Sequence, residues 1–131
     1  MRPTAVDLLC DFIMRNEGWI MGAPAFENRN PGNLRAGNHG YGVDAKEFTI
    51  FPNLEMGYAA LRADCMAKIT GHTHTQLSGP STLTAFFEVR SPASDGNAPE
   101  ALAQECAAYL TRGTGVTWIA SDPLQKFLVV K

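Results

Sequence analysis

The sequence predicts a mostly helical α+β domain, about five helices around a central helix with a small β-ribbon. Three observations predict it. Apolar residues recur at helical spacing in several separate segments, most clearly Val6, Leu9, Cys10 and Ile13. Residues 18–42 hold six of the twelve glycines and four of the seven asparagines, a composition of turns rather than regular structure. A short β-prone run, Glu47-Phe48-Thr49-Ile50-Phe51, ends at Pro52. The 131 residues suit one domain spanning residues 1–131, and 45% apolar against 18% charged residues supports a packed core.

The elements follow in order. Thr4 to Arg15 is the first helix, with Thr4 as cap and Asp7 three residues later at capping-box spacing. Phe12 broadens its buried stripe, and Gly18 stops it. The glycine- and asparagine-rich stretch then carries no regular helix, and loops of that length in compact domains usually serve a function. Asn53 caps a helix running to about Thr70, stopped by Gly71, with Tyr58, Leu61, Cys65 and Ile69 on one face. Alanines at 59, 60, 63 and 67 permit close packing, which suits a central helix. Ser81 or Thr82 opens a short helix, LTAFFEV. Asn97 caps another, with Pro99 and Glu100 in its first turn, Leu102, Cys106, Tyr109 and Leu110 on one face, and Gly113 as its end. Ser121-Asp122-Pro123 starts a last apolar segment through Val130.

Composition excludes several function classes. A net charge of −2 gives no overall electrostatic grip on nucleic acid or an anionic membrane. No apolar run approaches the roughly 20 residues of a bilayer span, and Asp7 and Asp11 interrupt the N-terminal one, so neither membrane insertion nor a signal peptide is expected. Cys10, Cys65 and Cys106 lack metal-finger spacing and sit in helix-like segments as small hydrophobes, which weighs against a cysteine nucleophile paired with His39, His72 or His74. His72 and His74 have no nearby carboxylate and make a poor metal site. No metal and no cofactor is expected.

Chemistry concentrates around Glu17, a carboxylate at the end of an apolar helix facing an irregular loop. Burial beside Trp19 and the helix C-terminal dipole would favour the protonated form that a general acid needs. The structural alternative is a solvated helix-end residue paired with Arg15 or Arg35. The run Arg29-Asn30-Pro31-Gly32-Asn33-Leu34-Arg35 combines a turn with uncharged amides suited to sugar hydroxyl and N-acetyl groups. Trp19, Phe26 and Tyr41 offer flat faces for a pyranose ring. The alternative here is a turn whose asparagines satisfy its own backbone.

Taken together, Glu17-Gly18-Trp19, the 29–35 run, and Phe48-Thr49-Ile50-Phe51-Pro52 with Gly57 and Ala60-Leu61 resemble the phage-type lysozyme-like proteins of the lysozyme superfamily. Thr82-Leu83 with Phe86 and the run Pro92–Asn97 fit as well, so the resemblance covers roughly residues 9 to 110. It implies a lysozyme-like fold, a peptidoglycan glycan strand as substrate, and Glu17 as catalytic acid. It further implies that Asn33 and its neighbours (Trp19, Asn30, Arg35 and Tyr41) line the substrate cleft.

Glycosidases usually employ two carboxylates. Candidates for the second are Glu27, Asp44, Glu47 and Asp95, with Glu27 placed in the loop and Asp95 better suited to capping a helix. A single glutamate suffices where the sugar's own hydroxyl or N-acetyl group traps the intermediate, as in lytic transglycosylases. Hydrolysis and transglycosylation therefore both stand. The reading from a different class is a non-catalytic phage virion or tail component that only binds cell wall. In either case the expected protein is a monomer, made in the cytoplasm and reaching the wall by lysis pores, particle delivery or contact-dependent secretion.

Overall fold

The computed structural model describes residues 3–35 and 41–130. The chain is mostly helical, with 52% helix against 5% strand. Six α-helices are found among the described residues: α1 (Ala5–Asn16), α2 (Pro24–Glu27), α3 (Leu54–Thr70), α4 (Leu83–Arg90), α5 (Pro99–Thr114) and α6 (Lys126–Val129). The chain divides into two compact units, residues 10–64 on one hand and residues 1–9 with 65–131 on the other. Both α1 and α3 begin in one unit and finish in the other.

Residues 10–64 build the first unit. Its helical part is the second half of α1 and the first half of α3, linked by the Tyr58 hydroxyl donating to Asp11 at 3.3 Å. Cys10, Ile13, Ala25, Leu34, Phe51 and Leu61 form its core. The side chain of Asn53 caps α3 as expected, accepting from the Met56 amide at 2.9 Å. The anticipated β-ribbon reduces to two isolated antiparallel bridges, Arg35 with Phe48 and Val43 with Thr49. The reason lies in the backbone of this segment. Glu47 adopts a left-handed φ of 68°, which ends the extended run before Phe48, and the amides beyond it diverge. Thr49 donates to the Leu34 carbonyl, Ile50 to Gly42 and Phe51 to Asn28, so no single partner strand is followed.

The second unit rests on α4 packed against α5, with Leu83, Phe86, Phe87, Ala103, Cys106, Ala107 and Leu110 buried among them. The capping box at the start of α1 forms. Thr4 N donates to Asp7 Oδ2 at 3.1 Å, and Asp7 N donates to Thr4 Oγ1 at 3.2 Å. Thr82 caps α4 through the Ala85 amide. Two sequence expectations are corrected here. Asn97 does not cap α5; Ala98 holds that position because Pro99 occupies the first helical turn, and the Asn97 amide reaches the Pro92 carbonyl instead. Gly113 does not end α5, which continues to Thr114 and stops at Gly115 with φ 75°. A Cβ at position 113 would stand 2.5 Å from Leu8 Cδ1, so the glycine there serves close packing against Leu8, not termination.

All three cysteines are buried and outside any disulfide, and burial pushes the Cys106 thiol far above its ordinary range, with the neighbouring Cys65 adding to the effect. A neutral buried thiol is no nucleophile. Of its proposed histidine partners, His39 lies outside the described residues, while His72 and His74 are exposed. No metal-binding cluster of His, Cys, Asp or Glu occurs among the described residues.

Candidate functional site

Glu17 stands at the C-terminal cap of α1. Its amide donates to the Ile13 carbonyl at 2.9 Å, and Gly18 turns the chain away with φ 71°. The side chain is half-buried. Its Oε2 accepts one hydrogen bond, from Asn33 Nδ2 at 2.9 Å. Arg35, one of the two cations considered as a partner, has its Nη1 on the Lys46 carbonyl instead.

The turn that delivers Asn33 is assembled from residues 24–35. The single turn of α2 was not expected from so glycine-rich a stretch; Pro24 at its first position permits it, since proline's fixed φ suits a helix start. It closes with Asn30 N donating to Ala25 O and Arg29 N to Phe26 O, the two bonds of a Schellman motif. Arg29 takes the left-handed position usually given to glycine, at φ 51°, and its Nε is held by the Phe51 carbonyl at 2.8 Å. Asn30 is fully buried. Its Nδ2 donates to the Leu34 and Thr49 carbonyls, and its Oδ1 accepts the Leu34 amide, each at 2.9 Å. With both N–H groups and its oxygen spent on backbone, Asn30 is a brace of the turn and not the cleft residue expected. A buried amide in this position fixes the loop geometry that an exposed one would leave free.

Asn33 follows with φ 49°, its own amide donating to the Asn30 carbonyl at 2.9 Å. Left-handed backbone is uncommon outside glycine, and asparagine tolerates it best. Gly57 on α3 seals the turn from behind, because any Cβ there would run into the Arg29 carbonyl oxygen and touch Pro31 Cδ.

The other predicted residues are distributed around this centre. Trp19 packs on Phe26, ring centroids 5.2 Å apart, a half-buried aromatic pair at the mouth of the loop. Arg35 is exposed, with its guanidinium 4.5 Å from the Phe48 ring centroid and Nη1 on the Lys46 carbonyl at 3.1 Å. Tyr41 meets Phe51 edge-on at 5.6 Å, and its hydroxyl faces Met56 Sδ at 3.9 Å. Among the described residues no hydrogen bond or ring contact joins Trp19, Arg35 or Tyr41 to Glu17.

Of the candidate second carboxylates, Glu27 and Asp44 have other occupations. Glu27 is exposed and its Oε1 accepts the Gly22 amide at 2.9 Å, closing its own loop. Asp44 takes the Asn28 amide on Oδ2 at 2.8 Å and the Lys46 and Phe48 amides on Oδ1. The Asn28 bond, aided by those two amides and outweighing desolvation, holds its carboxyl below the ordinary aspartate range. Glu47 is exposed at its left-handed turn position. Asp95 caps no helix; it closes a single 3-10 turn, Ala93–Asp95, through its amide to Pro92. Sequence reasoning missed the Asn28–Asp44 brace, which joins residues 16 apart, and no local spacing rule reports such a pair.

No protein-family model matches this chain, and neither a curated protein nor a solved structure is significantly similar.

Proposed function

We propose that the protein is a peptidoglycan-cleaving glycosidase of lysozyme-like fold, cutting a β-1,4 bond of the glycan strand with Glu17 as general acid. One observation carries the reading. Glu17 is a half-buried carboxylate whose side chain has an uncharged amide as its hydrogen-bond partner and no ion pair among the described residues. A structural carboxylate is normally neutralised by a cation or spent on backbone amides, as Asp44 and Glu27 are here. A general acid must instead keep its proton available within hydrogen-bond reach of the leaving oxygen.

In this scheme Glu17 gives its proton to the glycosidic oxygen and the C1–O bond breaks. The oxocarbenium-like sugar is then captured either by water or by one of its own hydroxyl or N-acetyl oxygens. Where a hydroxyl or water attacks, its proton passes to the Glu17 carboxylate and restores the acid. With Glu27 and Asp44 spent on backbone amides, one carboxylate serves both halves of the cycle in this scheme. The Trp19–Phe26 pair offers an apolar face for a sugar ring. The substrate is the glycan strand of peptidoglycan, reached by a lysis pore, particle delivery or contact-dependent secretion.

Clearing of purified cell walls by wild type and by Glu17→Gln tests the proposal. The mutant keeps the size and the hydrogen-bonding shape of the side chain and loses the proton. Clearing by wild type and not by the mutant supports the role; equal clearing removes Glu17 from the mechanism. Wall binding with no bond cleavage by wild type selects the non-catalytic virion component instead.

A further inference from the structure

Among the described residues the carboxamide of Asn33 has one hydrogen bond, and it is to Glu17. Its other end, Oδ1, is buried with no donor among them. Buried polar atoms are seldom left so, because an unmade hydrogen bond costs free energy. The neighbouring Asn30 shows that this same turn can satisfy an asparagine at every atom. Asn33 is also held in a left-handed backbone conformation that places its amide against the carboxylate.

Since Oδ1 has no donor to lose, turning the amide over breaks only the bond to Glu17. The torsion concerned, about the Cβ–Cγ bond, is broad and roughly two-fold, so both orientations are accessible. An ionised carboxylate only accepts and requires the N–H end. A protonated carboxyl has an O–H to donate and is matched by the C=O end. We infer that Asn33 is the partner of Glu17 in both of its protonation states, presenting N–H to the carboxylate and, until bound substrate takes up the O–H, C=O to the acid.

This rests on the reading of Glu17 as the general acid, which must pass through both states in every turnover. A lysine or arginine in place of Asn33 would favour the ionised form and oppose protonation, and an ionised aspartate would match the protonated form alone. Three of the charged groups nearby in the chain have bonds to other partners. Asp11 on α1 takes the Tyr58 hydroxyl, Arg29 holds the Phe51 carbonyl, and Arg35 lies on Phe48 and Lys46 O. Asn33 thus acts as a positioning residue, through Glu17.

Side-chain 15N–1H resonances of Asn33 in the full chain, followed through the carboxylate titration range, test this directly. The expected result is a single titration of the Asn33 amide signals that disappears in Glu17→Gln. Signals that stay flat with pH, or that titrate equally in Glu17→Gln, overturn the inference. Asn33→Asp is the second measurement, chosen because aspartate is isosteric and tolerates a left-handed φ. It should lower kcat on the order of 10- to 100-fold, a share of what a general acid supplies, and leave KM within about two-fold. Unchanged kcat overturns the inference, as does a loss confined to KM. The two readings fail separately. Retained wall clearing in Glu17→Gln removes the general acid, whereas lost clearing with flat Asn33 signals removes only the role given to Asn33.

Discussion

Two asparagines of one turn should separate stability from activity. In Asn30→Ala the Leu34 amide and the Thr49 carbonyl each lose a buried partner, while the Leu34 carbonyl keeps the Thr49 amide. Two orphaned buried groups at about 1–3 kcal/mol each give a loss of roughly 2–6 kcal/mol. That is a large share of the roughly 5–15 kcal/mol that holds a domain folded, and corresponds to a fall in Tm of about 10–20 °C. Asn33→Ala differs in kind. It gives up one half-exposed bond worth about 1 kcal/mol and takes a backbone penalty of about 1–2 kcal/mol, but it also removes an orphaned acceptor that costs about 1–3 kcal/mol. The net change should lie between about 1 kcal/mol of stabilisation and about 2 kcal/mol of destabilisation, at or below the bottom of the range for Asn30→Ala. Urea unfolding followed by circular dichroism measures both. Asn30→Ala within 1 kcal/mol of wild type would refute the brace, and equal destabilisation by both variants would refute the division of labour between them.

Gly57→Ala forces a methyl into the Arg29 carbonyl, so the start of α3 or the turn must shift; overpacking of this kind costs about 1–3 kcal/mol and is read from the same unfolding curves. Asp44→Asn tests the loop brace by pH. The folded-state pKa of Asp44 is lowered, so its contribution to stability is present above the unfolded value near 3.9 and is lost as pH falls through the folded one. Wild type should therefore lose more stability than Asp44→Asn on acidification below about pH 4, and parallel acid limbs would contradict this.

The parts of the fold that depend on near neighbours in sequence were legible. Thr4 with Asp7, Asn53 with Met56, and Thr82 with Ala85 all act within one helical turn, and Gly18 and Gly71 take the left-handed φ that ends a helix. What escaped depends on residues brought together from afar. Gly113 reads as a helix stop until Leu8 is packed against it. Asn30 and Asn33 are equivalent as letters in one motif, yet the carbonyl that makes Asn30 structural belongs to Thr49, 19 residues away. The same distance hid the pairing of Asp44 with Asn28, which removes an apparently available carboxylate. Glu17 was legible because its placement is local: the end of an amphipathic helix stopped by glycine. Its partner Asn33, 16 residues on, was singled out with its neighbours, and the structure alone distinguishes it from them.

Mass spectrometry of the soluble products from purified cell walls is the most direct test of the central claim. Wild type should release disaccharide-containing muropeptides, carrying either reducing ends from hydrolysis or termini lacking one water from transglycosylation, and Glu17→Gln should release none. The terminal sugar then identifies the bond that was cut. Intact glycan after wild-type treatment, or the same products from Glu17→Gln, would contradict the assignment of Glu17 as the general acid of a peptidoglycan glycosidase.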